Sequence, residues 1–477
     1  MIRYRSSMGL MRGVLFVLCS LLATTLLISC SDDTTDPAIE IADTHHMKPN
    51  ANQLILDEDI GTDQDRSSSI WELLERPGGG HYFRGYHRSH WVMGSLSASN
   101  SIDWSRRTYY PTSGMGMTPD DIPGLSGLIY LTGSRDSDND GRYDTGVVSV
   151  VDQSGSLLDE LTWEDPTDQL RFDEIIFDGV DSGALRFLVV GAMSGSDNVY
   201  HPMVATISLF ADSMLHKGER HDYTAVSNAR FGEVMHNPAP SKDGYIATGG
   251  NYRANGDRDH SMVFLLDESM QIEWQQDIDT GAGLTNNISF GYHDAATADT
   301  VYCVGQTQVE RTAASGAHWR GGAIVSLSPL GEIYWVRTYD ISAWVDEFND
   351  CQLKHGILYA SGVFASYAKT GRQFGYGWLA KIHPLNGNVI SNHYFGDNHW
   401  TSEANCMSVS DQSVVVGGYT KYQEYGAGYS HWLVDLDASG RSKDDGVSSL
   451  NEGASGPNRG KDDTRVPPRR DRDQREW

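Results

Sequence analysis

Cysteine is scarce, with five in 477 residues. There is no C-x-x-C and no regular cysteine spacing, which excludes a disulfide framework and leaves room for one pair at most beside a lone cysteine in the exported part. Basic charge is scarce as well: 37 Lys and Arg stand against 64 Asp and Glu, a formal charge of −27. Such a chain is a poor partner for nucleic acid or an anionic membrane face. No G-x-S-x-G elbow, no H-E-x-x-H helix and no phosphate-binding glycine loop occurs, so the common hydrolase, zincin and nucleotide signatures are missing. Long apolar runs are missing too, apart from one near the start, and even that is short for a membrane span.

That run follows Arg3, Arg5 and Arg12 and extends from Gly13 to Ile28, ending at Cys30. A basic segment, an apolar segment and a small residue before a cysteine form an export signal. Leu27-Ile28-Ser29-Cys30 resembles the lipobox of bacterial lipoproteins. The resemblance implies cleavage before Cys30 and attachment of diacylglycerol and acyl chains (palmitate among them) to that cysteine. Each buried methylene then contributes about 0.8 kcal/mol to membrane anchoring. Residues 30–52 are polar and read as a tether. Ser31, rather than an aspartate, follows the cysteine, which by the same resemblance favours the outer membrane. Without residues 1–29 the formal charge becomes −30. Cys303, Cys351 and Cys406 remain beside Cys30; Cys303 lies in Val301-Tyr-Cys-Val and reads as a small buried hydrophobe.

The body of the chain is repetitive. Apolar runs end in Gly133, Gly191, Gly249, Gly305, Gly362 and Gly417, at intervals of 58, 58, 56, 57 and 55 residues. A second apolar run follows each, such as Gly377-Trp-Leu-Ala-Lys-Ile382, and then a third, such as Gln271-Ile-Glu-Trp274. Short β-branched and aromatic runs bounded by Gly, Asp, Asn and Ser are strands. Several strands in a unit near 57 residues are blades of a β-propeller, each covering the next. The repeated glycine reads as a point of close backbone approach. Counting an irregular first unit at residues 80–109, the expected architecture is all-β: a single propeller of seven four-stranded blades, spanning residues 53–440. Six blades with decorations is the alternative. Only two strands are visible in the last unit, so residues 53–75 are expected to close the ring by pairing with residues 411–437. Residues 441–477 are polar and charged and read as a disordered tail.

Gly377-Trp-Leu-Ala-Lys-Ile382 with Asn386-Gly-Asn388 and Tyr394-Phe-Gly396, and Trp432-Leu-Val-Asp-Leu-Asp437 with Ser439-Gly440, resemble the delta-60 or SBBP-like repeats of exported bacterial proteins. The resemblance spans about residues 80–440. It implies a seven-bladed propeller and leaves function open, because such propellers serve as scaffolds in many roles.

Candidate sites are few. Asp136, Asp138, Asp140 and Asp144 occupy positions 1, 3, 5 and 9 of a loop with Gly141 at position 6. That spacing brings oxygen ligands round one centre. It resembles the calcium loops between strands of integrin-like propellers, and position 12 is Val147, which excludes an EF-hand. A structural calcium ion and a solvated acidic turn are the two readings. His90, His201, His260, His318 and His431 recur just before the second run of their units. They sit on different blades and read as packing residues rather than a metal centre. Aromatics in the long connections, Trp344, Trp400, Tyr376 and Tyr425 among them, are candidate partner anchors. The function expected is a non-catalytic, lipid-anchored envelope protein that presents a propeller surface to a protein or glycan. An envelope hydrolase or lyase acting on glycans with acids at the propeller mouth is the alternative; no catalytic residue is assigned.

Overall fold

The structure, a computed structural model, describes residues 46–47 and most of 68–437. The positions left out are chiefly in connections, the longer ones being 137–142, 253–257, 279–286, 291–295, 310–318, 340–344, 368–372, 396–400 and 423–427. All described regular elements are strands. They form seven blades in a ring, so the seven-bladed propeller holds and the six-bladed alternative does not.

The first strands of the blades are Ser68–Glu75, Thr112–Met117, Gln169–Asp181, Ala229–His236, Asn287–Phe290, Val345–Lys354 and Thr401–Val409. Each touches the first strand of the next blade, and Thr401–Val409 touches Ser68–Glu75, which closes the circle. These seven strands therefore line the axis. Blades one to four are separate four-stranded antiparallel sheets. Single parallel pairs, Arg320 with Val345 and Gly375 with Thr401, link blades five, six and seven. In blade seven the described residues form Thr401–Val409, Ser413–Tyr422 and Gly428–Asp437.

Each blade begins one strand earlier than the repeat read from the sequence. The apolar run ending in glycine is the second strand, and a segment before it, such as Gln169–Asp181, opens the blade. The physical reason is the turn. Gln169–Asp181 folds straight back onto Ala184–Ser194 through Ser182 and Gly183, both at positive φ. Likewise Ser68–Glu75 pairs with His81–His87, not with residues 411–437. The N-terminal segment still closes the ring, by packing: Ile70 and Leu73 bury against Cys406, Val415 and Leu433 of blade seven. Asn405 Nδ2 also donates to the Ile70 carbonyl at 3.0 Å.

The repeated glycine has the role expected of it, with one change of position. A Cβ on Gly85, Gly133, Gly191, Gly249 or Gly362 would lie 1.8–2.2 Å from a carbonyl oxygen of the first strand or, for Gly133, of Pro111 just before it. In blade seven that position is Gly418, against the Glu403 carbonyl at 1.9 Å, and not Gly417. The carbonyl intrudes because the first strand carries a β-bulge there. The register slips at Ile70/Glu72, Thr112/Gly114, Phe172/Glu174, Phe231/Glu233, Phe348/Asp350 and Ala404/Cys406. Bulge and glycine are one device: the bulge turns a carbonyl toward the second strand, and only glycine leaves room for it.

The blades cohere through apolar layers. Phe395 of blade six meets Trp432 of blade seven with ring centroids 5.7 Å apart, Phe348 stacks on Trp378 within blade six at 4.3 Å, and Trp378 and Trp432 are fully buried. At the rim, Trp104 and Trp335 donate to Gln153 and Pro384 carbonyls of the following blade, at 2.9 and 3.1 Å. Their rings cover Gly155 and Gly387, which turn at positive φ. Cys303, Cys351 and Cys406 are buried free thiols.

Candidate functional site: carboxylates at the propeller axis

A bulge re-aims the residue that follows it. At that position blades one, three, four and six carry Glu72, Glu174, Glu233 and Asp350, and blades two and seven carry Gly114 and Cys406. Because the bulges sit on the strands that line the axis, four acids from four blades are brought toward one another. Glu72, Glu174 and Asp350 are buried, and Glu233 is half-buried.

Among the described residues, Arg84 is the cation beside them. Arg84, opposite Glu72 on the second strand of blade one, donates from Nε to Glu72 Oε2 at 2.5 Å. Its Nη1 donates to the Thr112 carbonyl of blade two at 2.7 Å. Glu72 Oε1 accepts the Met115 amide, also of blade two, at 3.2 Å. Asp350 Oδ2 accepts the Met407 amide of blade seven at 2.8 Å. Gln352 repeats this contact two residues on, with Oε1 accepting from Val409 at 2.8 Å and Nε2 donating to the Met407 carbonyl at 3.0 Å. Glu174 accepts the Ile175 amide at 2.8 Å. Gly114 makes room for it, since a Cβ there would lie 2.6 Å from Glu174 Oε1. Thr248 and Ser361, the cross-strand neighbours of Glu233 and Asp350, carry buried hydroxyls without a protein partner.

Four acids and one guanidinium in a buried space do not all ionise. Burial pushes the Glu72 carboxyl up to about 7 despite Arg84, which pulls the other way. Burial, then the charge of Glu72, raises Glu233 to about 8. Burial raises Asp350 to about 7 against its two backbone hydrogen bonds. Glu174 rises well above the ordinary carboxylate range through burial and then the charges of Glu233 and Glu72. Among the described residues, no three of His, Cys, Asp and Glu meet as a metal-holding group.

The residues proposed from the sequence fall elsewhere. Tyr376 was expected as an exposed anchor; it lies in Gln373–Ile382, 9 % exposed, beside Phe364 in the core of blade six. Its place in a strand, not a loop, is what buries it. Trp344, Trp400 and Tyr425 lie outside the described residues, as does Cys30. Of the calcium loop, Asp138 and Asp140 lie outside them. Asp136 and Asp144 are half-buried, and Asp144 Oδ1 accepts from the Thr145 hydroxyl at 3.0 Å. His201 Nδ1 contacts the Val226 carbonyl at 3.2 Å, a packing contact within blade three's surroundings. The axial acids were not singled out from the sequence. Their signal was Phe172-Asp-Glu174, Phe231-Gly-Glu233 and Phe348-Asn-Asp350, which begin 19, 18 and 14 residues before Gly191, Gly249 and Gly362.

No family model matches the chain, and no curated protein matches it. Solved structures do resemble it. The Dos1 propeller is 10% identical over 76% of this chain and 83% of its own, with a TM-score of 0.42. The polysaccharide lyase Uly1 is 10% identical over 82% and 96%, with a TM-score of 0.43. A prolyl endopeptidase is 11% identical over 79% of this chain but 48% of its own, with a TM-score of 0.42. At these identities they are likenesses of fold and carry nothing about activity. The class is set by the chain's own strands: a seven-bladed β-propeller.

Proposed function

We propose that this chain is an exported bacterial envelope protein, lipid-anchored at Cys30, whose propeller is a non-catalytic scaffold for a protein or glycan partner. One observation supports the scaffold reading over the catalytic one. The carboxylates that the fold brings together are engaged in joining blades: Glu72 with Arg84 and the Met115 amide, Asp350 with the Met407 amide. A carboxylate bound to backbone within a packed interior reaches no substrate. Recognition then belongs to the connections between strands, where exposed side chains meet a partner without disturbing the ring. The export signal, lipobox and polar tether support the envelope address, with the outer membrane favoured by Ser31. Asp136, Asp138, Asp140 and Asp144 supply oxygen ligands in a spacing suited to a structural calcium ion.

The test uses the chain from residue 31 onward, purified without its anchor. It is applied to a glycan array and to crosslinking in bacterial envelope, with glycan cleavage measured on every glycan that binds. Saturable binding without turnover is the expected result. Turnover of a bound glycan would replace this reading with the envelope hydrolase or lyase acting at the propeller mouth.

A further inference from the structure

Among the described residues, the two most exposed large apolar side chains are Leu385 and Leu330, at 81 % and 63 %. Each stands at the tip of a turn from third to fourth strand, after a proline: Pro329-Leu330-Gly331 in blade five and Pro384-Leu385-Asn386 in blade six. Tyr334 and Ile390, the second residues of the outer strands that follow, are exposed as well. The two blades join at this rim. Trp335 Nε1 and Arg337 Nε, on the outer strand of blade five, donate to the Pro384 and Asn386 carbonyls of the blade-six turn at 3.1 and 3.2 Å. The fold does not demand leucine at these tips. The matching tips of blades one, two and four, inside turns closed by the same backbone hydrogen bond, are Ser99, Ser154 and Ser269. A leucine held out in water stabilises nothing within the ring, and a row of apolar side chains on one rim marks a contact with something else.

The start of the chain says what that contact is. His46–Met47 adds to the outer strand of blade six and runs parallel to it, with His46 opposite Tyr394 and Met47 opposite Phe395. That outer strand, Val389–Phe395, begins at the turn that carries Leu385. A strand parallel to it is entered from the same end. Cys30 precedes His46 by 16 positions, and a flexible tether of that length has a root-mean-square span of about 20–24 Å. Acyl chains on Cys30 would therefore keep the bilayer on a short leash to the rim of blade six, and docking of that rim becomes an intramolecular event.

We propose that Leu330 and Leu385, flanked by Tyr334 and Ile390, dock the rim of blades five and six on the surface of the bilayer that holds Cys30, a surface of zwitterionic phospholipid; this rests on the lipid-anchor reading of Cys30. The chain's excess of acid, 64 against 37 basic residues, argues against an anionic surface. Leucine tips need no charge to enter the boundary between headgroups and acyl chains. The turns also bring few free amides with them: the Leu330 amide donates to Ser328 Oγ at 3.2 Å, and the Leu385 amide to His383 Nδ1 at 3.3 Å. Polar backbone that is already paired costs little to bring near lipid. In an antiparallel blade the connections from strand two to three, and from strand four to the next blade, leave the opposite face. Docking by the short turns therefore leaves those connections on the side away from the lipid, open to a partner.

The experiment uses the full chain, expressed with its own first residues, recovered from membranes and reconstituted in phosphatidylcholine vesicles. A fluorophore sensitive to polarity is attached at Leu385→Cys or, for comparison, at Ser99→Cys, the same turn position in blade one. Cys303, Cys351 and Cys406 are buried and do not compete for the label. The label at position 385 should emit at shorter wavelength with vesicles and be quenched by phospholipid that carries a nitroxide; the label at position 99 should show neither effect. Adding Leu330→Ser should lower the ratio of docked to undocked chain, read as quenching at position 385, by at least about tenfold. Equal emission and quenching at the two positions, in a chain that floats with the vesicles, would overturn the docking and keep the anchor. A chain that does not float would overturn both. A blue shift at position 385 that grows with protein concentration and resists the nitroxide would assign the rim to a second copy and overturn the lipid contact.

Discussion

Adding one methyl group at two glycines of blade four separates the bulge device from ordinary loop tolerance. Gly249 pairs with Phe231, and a Cβ there would stand 2.1 Å from the Arg230 carbonyl oxygen. Gly232, one residue past Phe231 in the bulge, has no atom within 4 Å of the same added carbon. A carbon and an oxygen in contact need roughly 3.2 Å, so Gly249→Ala forces about 1 Å of backbone movement, comparable to the costlier overpacking cases at about 1–3 kcal/mol. The obstacle is main chain on a strand that packs against both neighbouring blades, so relaxing it also weakens ladder hydrogen bonds, each contributing about 1 kcal/mol. Gly249→Ala should therefore cost about 2–4 kcal/mol. Gly232→Ala should be neutral or stabilising by about 0.4–1 kcal/mol, through the lost freedom of the unfolded chain. Urea midpoints with unchanged slopes, read by tryptophan fluorescence, measure both. Equal midpoints for the two variants would refute the account of why the repeat carries its glycine.

Further outcomes follow from single contacts. Arg84→Met leaves Glu72 buried without its cation; it should destabilise by about 3–5 kcal/mol at pH 8.5 and distinctly less at pH 5.5, where Glu72 holds a proton. A pH-independent loss would show that Arg84 matters for packing alone. Asp138→Ala should lower the thermal midpoint in calcium and leave it unchanged in EDTA; equal shifts in both buffers would remove calcium from the loop. Joint truncation of Trp344 and Trp400 to alanine should abolish partner binding with an unchanged melt, and a collapsed melt would assign both to packing instead.

The fold was legible because the repeat is written in residue types whose physics is local. Gly133, Gly191, Gly249 and Gly362 recur where a carbonyl leaves no room for a Cβ, and Trp104 and Trp335 recur where a glycine turn of the next blade needs a lid. The frame of the blade was not legible. Gln169–Asp181 carries Asp173, Glu174, Asp178 and Asp181 among its apolar residues, so its pattern resembles an outer, half-exposed strand. Only the turn at Ser182-Gly183 and the axial neighbours show it to be the first. The acids were missed for the same reason: a bulge breaks the alternation of a strand, and an acid beside it reads as facing solvent. Tyr376 was misread in the opposite direction, as an aromatic within a polar stretch, because the strand extends past Gly377 to Gln373.

The envelope assignment rests on Cys30, and mass spectrometry of the N-terminal peptide tests it directly. The full chain is expressed with its own first residues in a diderm bacterium and recovered from membranes. The account predicts a peptide that begins at Cys30 and carries a diacylglyceryl thioether with an acylated amino group. A peptide that begins elsewhere, or a Cys30 with a free thiol, would contradict it.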